Sequence, residues 1–170
     1  MDLAFLENAL EAAEFVLALT LEKIPSAVGF ISLFDINKRE FVVVRQSGGG
    51  EDALLSRLPE RAPLAQAAMQ SQRAVVIADA ASDDRAQDDR WKAAGVELRS
   101  VIATPVEVAG RYFGLIEIAN PLDGGRYTEG DGNALTYIGQ QLAEFVDSHG
   151  VVLDPDLIRE AARARPSKIR

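Results

Sequence analysis

The apolar positions of residues 2–24 fall into two helical stripes. Leu3, Leu6, Leu10, Ala13 and Leu17 form one, and Phe5, Ala9, Ala12, Val16 and Leu19 form the other. At about 100° per residue the two stripes cover roughly half of a helix's circumference, wider than contact with one sheet requires. Phe15 projects into the opposite arc, beside Asn8, Glu11 and Glu22. Two readings stand: a deeply buried helix with one stray phenylalanine, or a helix that packs on its own sheet and on a second chain. The second reading places Phe5, Ala9, Ala12, Phe15, Val16 and Leu19 at a homodimer interface.

Pro25 ends this helix. AVGFISLF (27–34) and EFVVVRQ (40–46) are β-rich runs that the polar turn DINKR joins into a hairpin. Ser47-Gly48-Gly49-Gly50 reads as a flexible exit, because it lacks the Gly-Lys-Ser/Thr of a phosphate-binding loop. Residues 62–72 predict a short helix with Pro63 in its first turn, and 74–78 a short buried strand. The polar excursion 79–95 is rich in aspartate, but its spacing fits no calcium loop, and aspartate favours caps and turns. Residues 99–108 and 111–120 predict a second hairpin about Ala109-Gly110.

The loop from Pro121 to Tyr127 leads into Thr128-Glu129-Gly130-Asp131, which has the form of a capping box. Leu135, Ile138, Leu142 and Phe145 then continue as a helical stripe. No acidic ligands alternate from Asp123 onward, so the loop reads as structural and not as a cation site. The chain divides into a domain over residues 1–150 and a short, helical, basic and solvated extension over 151–170.

Composition narrows the chemistry. With 48% apolar residues in 170, the chain buries a core without staples. It has no cysteine, which excludes disulfides, thiolate metal sites, cysteine nucleophiles and thioether-linked chromophores. His149 is the only histidine, so neither a catalytic triad nor a multi-histidine metal site can be assembled from this chain. No catalytic and no metal-ligating residue is therefore assigned. A net charge of -8 argues against nucleic-acid binding, although residues 151–170 carry +2 and leave -10 on the remainder. Asp2 and Glu7 stand where a signal peptide would be cationic. No apolar run approaches the roughly 20 residues that span a bilayer. The expectation is a soluble cytoplasmic protein without membrane or nucleic-acid partners.

Helix, hairpin, helix, strand, polar excursion, hairpin and closing helix imply an α+β fold, an α/β/α sandwich around one antiparallel sheet. Asp79 follows the short strand, Arg99-Ser100 opens the next, and Pro105, Gly110-Arg111 and Gly114 follow in order. Glu117, Asn120, Tyr127 and Asp131 complete a pattern that resembles a GAF domain over roughly residues 5–148. A PAS domain, the nearest rival, would not begin and end on long helices flanking this strand order. The resemblance implies a sensory or regulatory signalling module, with a pocket under the polar excursion and terminal helices that build a dimer. Cyclic-nucleotide-binding members carry Asn-Lys…Phe-x-x-x-Asp-Glu. Here Asn120, Tyr127 and Asp131 match or nearly match, but Pro121 replaces the lysine and Gly132 the glutamate. Bilin-binding members and the free methionine sulfoxide reductases of this fold use cysteine, which this chain lacks. No cofactor is expected beyond an unidentified small molecule.

A two-residue turn at Ala109-Gly110 pairs Val108 with Arg111, and alternation sorts the hairpin into two faces. One face carries Val101, Ala103, Pro105, Gly114, Ile116 and Ile118, whose small residues suit packing by the terminal helices. The other carries Ser100, Ile102, Thr104, Val106, Phe113, Leu115 and Glu117. Its three polar groups need partners once buried. Either the backbone and the excursion supply them, with Arg85, Arg90 or Lys92 for Glu117, or they face a ligand with Trp91 as a lid. The ligand site then comprises Ser100, Thr104, Glu117, Trp91, Arg85 and Phe113. The function read from this is a non-enzymatic GAF-type module, homodimeric, with a small-molecule pocket. The alternative is an interaction module with a filled pocket, whose terminal helices and basic tail dock a signalling partner. No output domain is recognisable, so a signal leaves through partner contacts or the chain is a fragment.

Overall fold

The computed structural model describes residues 2–164, so Arg165, Lys168 and Arg170 of the basic tail lie outside the described residues. Helix α1 (Ala9–Lys23) starts at Ala9, later than its stripes predict. The reason is Asn8, whose backbone is extended and whose Oδ1 accepts from the amides of Leu10 (2.9 Å) and Glu11 (3.1 Å). This is an N-cap, and it fixes where the helix begins.

There follow β1 (Ser26–Asp35), β2 (Glu40–Gly48), β3 (Arg57–Pro59), α2 (Pro63–Ser71), β4 (Val75–Ile77) and α3 (Asp89–Ala93). The chain then forms β5 (Val101–Val108), β6 (Arg111–Pro121), α4 (Glu129–His149) and α5 (Pro155–Arg163). The six strands form one sheet in the order β3-β2-β1-β6-β5-β4, and every neighbouring pair is antiparallel. The three-residue strand β3 and the five-residue helix α3 are not predicted from the hydrophobic pattern. Both are too short to show a period.

Helices α1, α4 and α5 cover one face of the sheet, packing on Ile31, Leu33, Val44, Ile102, Val106, Ile116 and Ile118. The opposite face carries Val28, Phe30, Val43, Val101, Ala103 and Ala119, covered by Trp91 and Leu64. Beside it, Ala65 and Ala68 of α2 pack on Phe41 and Leu115. Among the described residues no helix is long and apolar enough to cross a membrane.

The second hairpin departs from simple alternation. Val108 pairs with Arg111, but the register shifts between Val106 and Glu107. Glu107 opposes Tyr112 while Val106 opposes Gly114, which leaves Phe113 as an extra residue on β6. A one-residue slip reverses the face of everything beyond it relative to the partner strand. Alternation from the turn puts Thr104 beside Glu117, whereas the bulge pairs Thr104 with Ile116 and Ala103 with Glu117. Thr104 therefore faces the helices with Ile102 and Val106. There α4 comes so close that a methyl at Gly139 would stand 2.8 Å from the Pro105 carbonyl and 3.1 Å from Thr104 Cγ2. Ala103, expected against the helices, lies on the opposite face.

Two further expectations are corrected. The glycine run is no flexible exit: the amides of Gly50 and Glu51 both donate to the Ala94 carbonyl, at 3.0 and 3.2 Å. Gly49 has φ +85, and a Cβ there would lie 2.7 Å from the same carbonyl, so glycine is needed for the close approach. Nor is the extension beyond residue 150 wholly solvated. Ile158 of α5 is fully buried in the helix-side core, with Val152, Leu153 and Ala161 packed against it.

The capping box of α4 is formed as expected. Thr128 Oγ1 accepts from the Asp131 amide at 3.2 Å, and Asp131 Oδ2 accepts from the Thr128 amide at 2.9 Å. Removing the hydroxyl in Thr128→Ala is expected to lower stability by about 1 kcal/mol in urea unfolding.

Candidate functional site

The excursion between β4 and β5 contains two single 3-10 turns, Ala80–Ser82 and Asp84–Ala86, and then α3. Asp88 caps α3, accepting from the Arg90 amide at 2.8 Å. The same carboxylate also grips the Arg90 guanidinium, with Nε to Oδ1 and Nη2 to Oδ2 both at 3.0 Å. One aspartate thus starts the helix and orients its cation.

The guanidinium points into the sheet. Nη1 donates to Glu117 Oε1 at 2.8 Å and Nη2 to Oε2 at 2.6 Å, a two-pronged pair with the central strand β6. Glu117 is fully buried and Arg90 is 4% exposed. Burial opposes the charge on Arg90, but the charges and hydrogen bonds of Glu117 and Asp88 outweigh it and hold the guanidinium above its ordinary value. Phe30, directly across from Glu117 on β1, stacks on Trp91 with centroids 4.6 Å apart and planes 21° apart. Arg90 lies over both rings, at 5.5 and 5.8 Å. The sheet face under the excursion is therefore occupied by Trp91 and Arg90. Trp91 is 2% exposed and part of the core, not a lid over a space.

The six candidate ligand residues do not form one group. Trp91 and Glu117 meet through Arg90. Ser100 sits just before β5, where its Oγ donates to the Ile77 carbonyl at 3.1 Å. Thr104 lies on the helix face, and its buried Oγ1 has no hydrogen-bond partner. Phe113, the bulge residue, packs in the helix-side core beneath the Arg111 guanidinium at 5.1 Å. Arg85 turns outward to Asp83, with contacts of 3.0 and 2.7 Å, and that bond holds the Asp83 carboxyl below its usual value.

Phe30 is missed by sequence reasoning, which treats the two hairpins separately. Arg90 appears there only as one of three available cations. The signal that selects it is Asp88-Asp89-Arg90, an N-cap two residues before an arginine. Asn120 has a structural role: Oδ1 accepts from Arg99 (2.7 Å) and Ser100 (3.3 Å), Nδ2 donates to Glu97 (2.9 Å), and φ is +62.

The α1 stripes are corrected likewise. Ala9, Ala12 and Val16 are fully buried inside the protomer and are not available to a second chain. The inner positions of both stripes, Leu10, Ala13 and Leu17 with Ala9, Ala12 and Val16, face the core because α1 packs on α4 as well as on the sheet. Phe5 is exposed, Phe15 and Leu19 are half-buried, and Phe5 meets Phe15 edge to face at 5.5 Å.

Two hollows lie away from the excursion. One, of about 200 Å³, is lined by Pro105, Glu107, Thr136, Gln140 and Glu144. The other, of about 390 Å³, is a groove lined by Arg39, Arg61, Gln66, Met69 and Tyr112. Burial pushes the Glu107 carboxyl above its ordinary value, and its Oε1 has no hydrogen-bond partner.

A family model described as GAF domain matches residues 8–147. The chain belongs to the GAF domain family. Among solved structures it is similar to the GAF domain/HD domain protein from Geobacter sulfurreducens, at 18% identity and TM-score 0.68, over 84% of this chain and 94% of that one. It is also similar to the GAF domain of a phosphoenolpyruvate-protein phosphotransferase from Coxiella burnetii, at 16% identity and TM-score 0.71, over 85% and 86%. A third is a free methionine-R-sulfoxide reductase from Neisseria meningitidis in complex with its substrate, at 20% identity and TM-score 0.65, over 94% and 83%. No curated protein matches the chain. At these identities the structural likeness is one of fold. GAF domains are, as a family, sensory and regulatory modules, although the fold also carries the reductase.

Two measurements follow from this geometry. Glu117→Gln leaves a buried guanidinium without its anionic partner on the sheet, so urea unfolding should show a loss of about 3 kcal/mol. The double variant Arg90→Met with Glu117→Leu should recover part of that loss, since no fully buried charge is left unpaired. Asp88, which is partly exposed, keeps the amide of residue 90 while losing the guanidinium. For Glu107 the folded protein holds the proton more tightly than the unfolded chain, whose ordinary value is 4.5. Its stabilising contribution is present below that value and is lost as pH rises through the folded value. Glu107→Gln should therefore stabilise the protein more at about pH 7 than at about pH 4.

Proposed function

We propose that this GAF domain is a non-catalytic signalling module that acts through protein contacts, with the face under its excursion filled by its own side chains. The observation that supports this reading is the plug itself. Trp91 and Arg90 are almost fully buried on that face, and Arg90 is held by a two-pronged pair to Glu117. A ligand there would have to break that pair and unstack Trp91 from Phe30. A catalytic reading lacks apparatus: there is no cysteine, and the one histidine stacks on Phe145 at 3.9 Å. One observation favours a small-molecule reading instead. Trp91 Nε1 and Ser32 Oγ are buried without hydrogen-bond partners.

Native mass spectrometry on protein purified from its own host separates the two. The expected spectrum holds polypeptide alone. A retained small molecule that disappears in Trp91→Ala would replace this reading with the sensor.

The module is further proposed to work as a homodimer through the outer side of α1 and the turn before it, where Phe15 and Leu19 of the helix and Phe5 of the turn remain accessible. Multi-angle light scattering should report a dimer at high micromolar concentration, and Phe15→Glu should shift it measurably toward monomer. A wild-type monomer under those conditions would rule this assembly out.

A further inference from the structure

Helix α5 follows the region that the family model matches, and it docks back onto the domain. We infer that the groove between α1 and β2 is a helix-binding site, occupied in cis by α5, which takes an amphipathic helix of the same pattern from a partner protein when α5 leaves. This goes beyond the proposed function and concerns the opposite face of the sheet.

Three observations carry it. The first is the form of the groove, which is built to receive the carbonyl end of a helix. Arg45 of β2 donates from Nη1 to the Ala161 carbonyl in the last turn of α5, at 3.0 Å. Its Nη2 pairs with Glu14 of α1 at 2.7 Å, so the guanidinium is held in place by the groove. A cation at this end complements the helix dipole and the carbonyls left unbonded there.

The second is how little of α5 is held. Ile158 is its one fully buried residue, and Leu157 beside it is 49% exposed. A helix of nine residues is not stable alone in water, so α5 exists because it is seated. It folds on the groove and unfolds off it.

The third is that α5 is separable from α4. Residues 150–154 have no regular structure, and Gly150 has φ +91. Asp154 gives α5 a start signal of its own, accepting from the amides of Asp156 (2.8 Å) and Leu157 (3.3 Å). Release of α5 therefore leaves α4 and its capping box intact, while uncovering apolar surface between α1 and β2 that favours replacement. The replacing helix needs a branched aliphatic residue three positions before a free backbone carbonyl, as Ile158 stands to Ala161.

The test uses the full chain and two readouts, and the proposal requires both. In hydrogen exchange of the wild type, amides of residues 158–163 should open locally, well before those of α4. Exchange of α5 only together with α4 would overturn the proposal. In the second readout, a fluorescent peptide of residues 151–164 is added to the wild type and to Ile158→Asp. Binding to the variant should be saturable and at least about tenfold tighter, because the wild-type groove is already filled. Adding Arg45→Met to the variant should weaken it. Equal binding to both chains, or none to a variant that retains α4 protection, would also overturn the proposal. Should Ile158→Asp fail to fold, Ile158→Ala serves with the same expected order. Exchange of α5 between two copies, seen as a dimer lost in these variants, would make the occupant a second copy and reject the partner helix.

Discussion

A carboxylate at the centre of a sheet with no access to water must have a cation, and in this domain most of one face is organised to supply it. Glu117 lies on β6, between β1 and β5, and is fully buried. No residue of those strands meets the demand. The cation comes from a five-residue helix in a polar excursion, and its geometry is fixed by Asp88, Phe30 and Trp91. The penalty for leaving either charge unpaired in this environment adds to the apolar burial of Ala80, Ala86, Trp91 and Ala94 in holding the excursion on the sheet. The packing of Trp91, the seat of α3 and the contact of the glycine run with Ala94 lie around that one pair.

The two faces of the sheet are therefore held by different physics. On the helix side, aliphatic side chains meet α1 and α4, and Gly139 lets a helix backbone approach a strand carbonyl. That contact is broad, since apolar burial is non-directional, and it is closest where Gly139 meets Pro105 and Thr104. On the excursion side, a forked ion pair and an aromatic stack impose fixed distances and planes.

The fold was readable where periodicity runs long. The stripes of α1 and α4 and the two hairpins each span enough residues for the pattern to outweigh local exceptions, and the capping box at Thr128 is legible from its residue types alone. The candidate site was less readable, for reasons that can be named. One extra residue at Phe113 reverses the relation between β5 and β6, and nothing in the amino acids around Ala109-Gly110 announces it. Alternation from the turn therefore assigns Glu117 to its observed face and Thr104 to the opposite of its own. Helix α3 has no detectable period at five residues, so the sequence offers Arg85, Arg90 and Lys92 alike, and only the Asp88 cap distinguishes Arg90. The breadth of the α1 stripes reflects contact with α4 inside one chain, a long-range fact that a local pattern cannot distinguish from contact between chains.

The plug on the excursion face is delivered by neighbouring positions, Arg90 and Trp91, in one short helix between two strands. The sheet beneath contributes only Glu117 and Phe30 to the same cluster. Whether this face is solid or hollow is thus decided largely in one short segment, together with Glu117 beneath it. In evolutionary terms the occupancy of the face and one codon of the central strand are tied together. A lineage that opened such a pocket by rewriting the excursion would have to replace Glu117 as well, or supply its charge with a partner on the ligand.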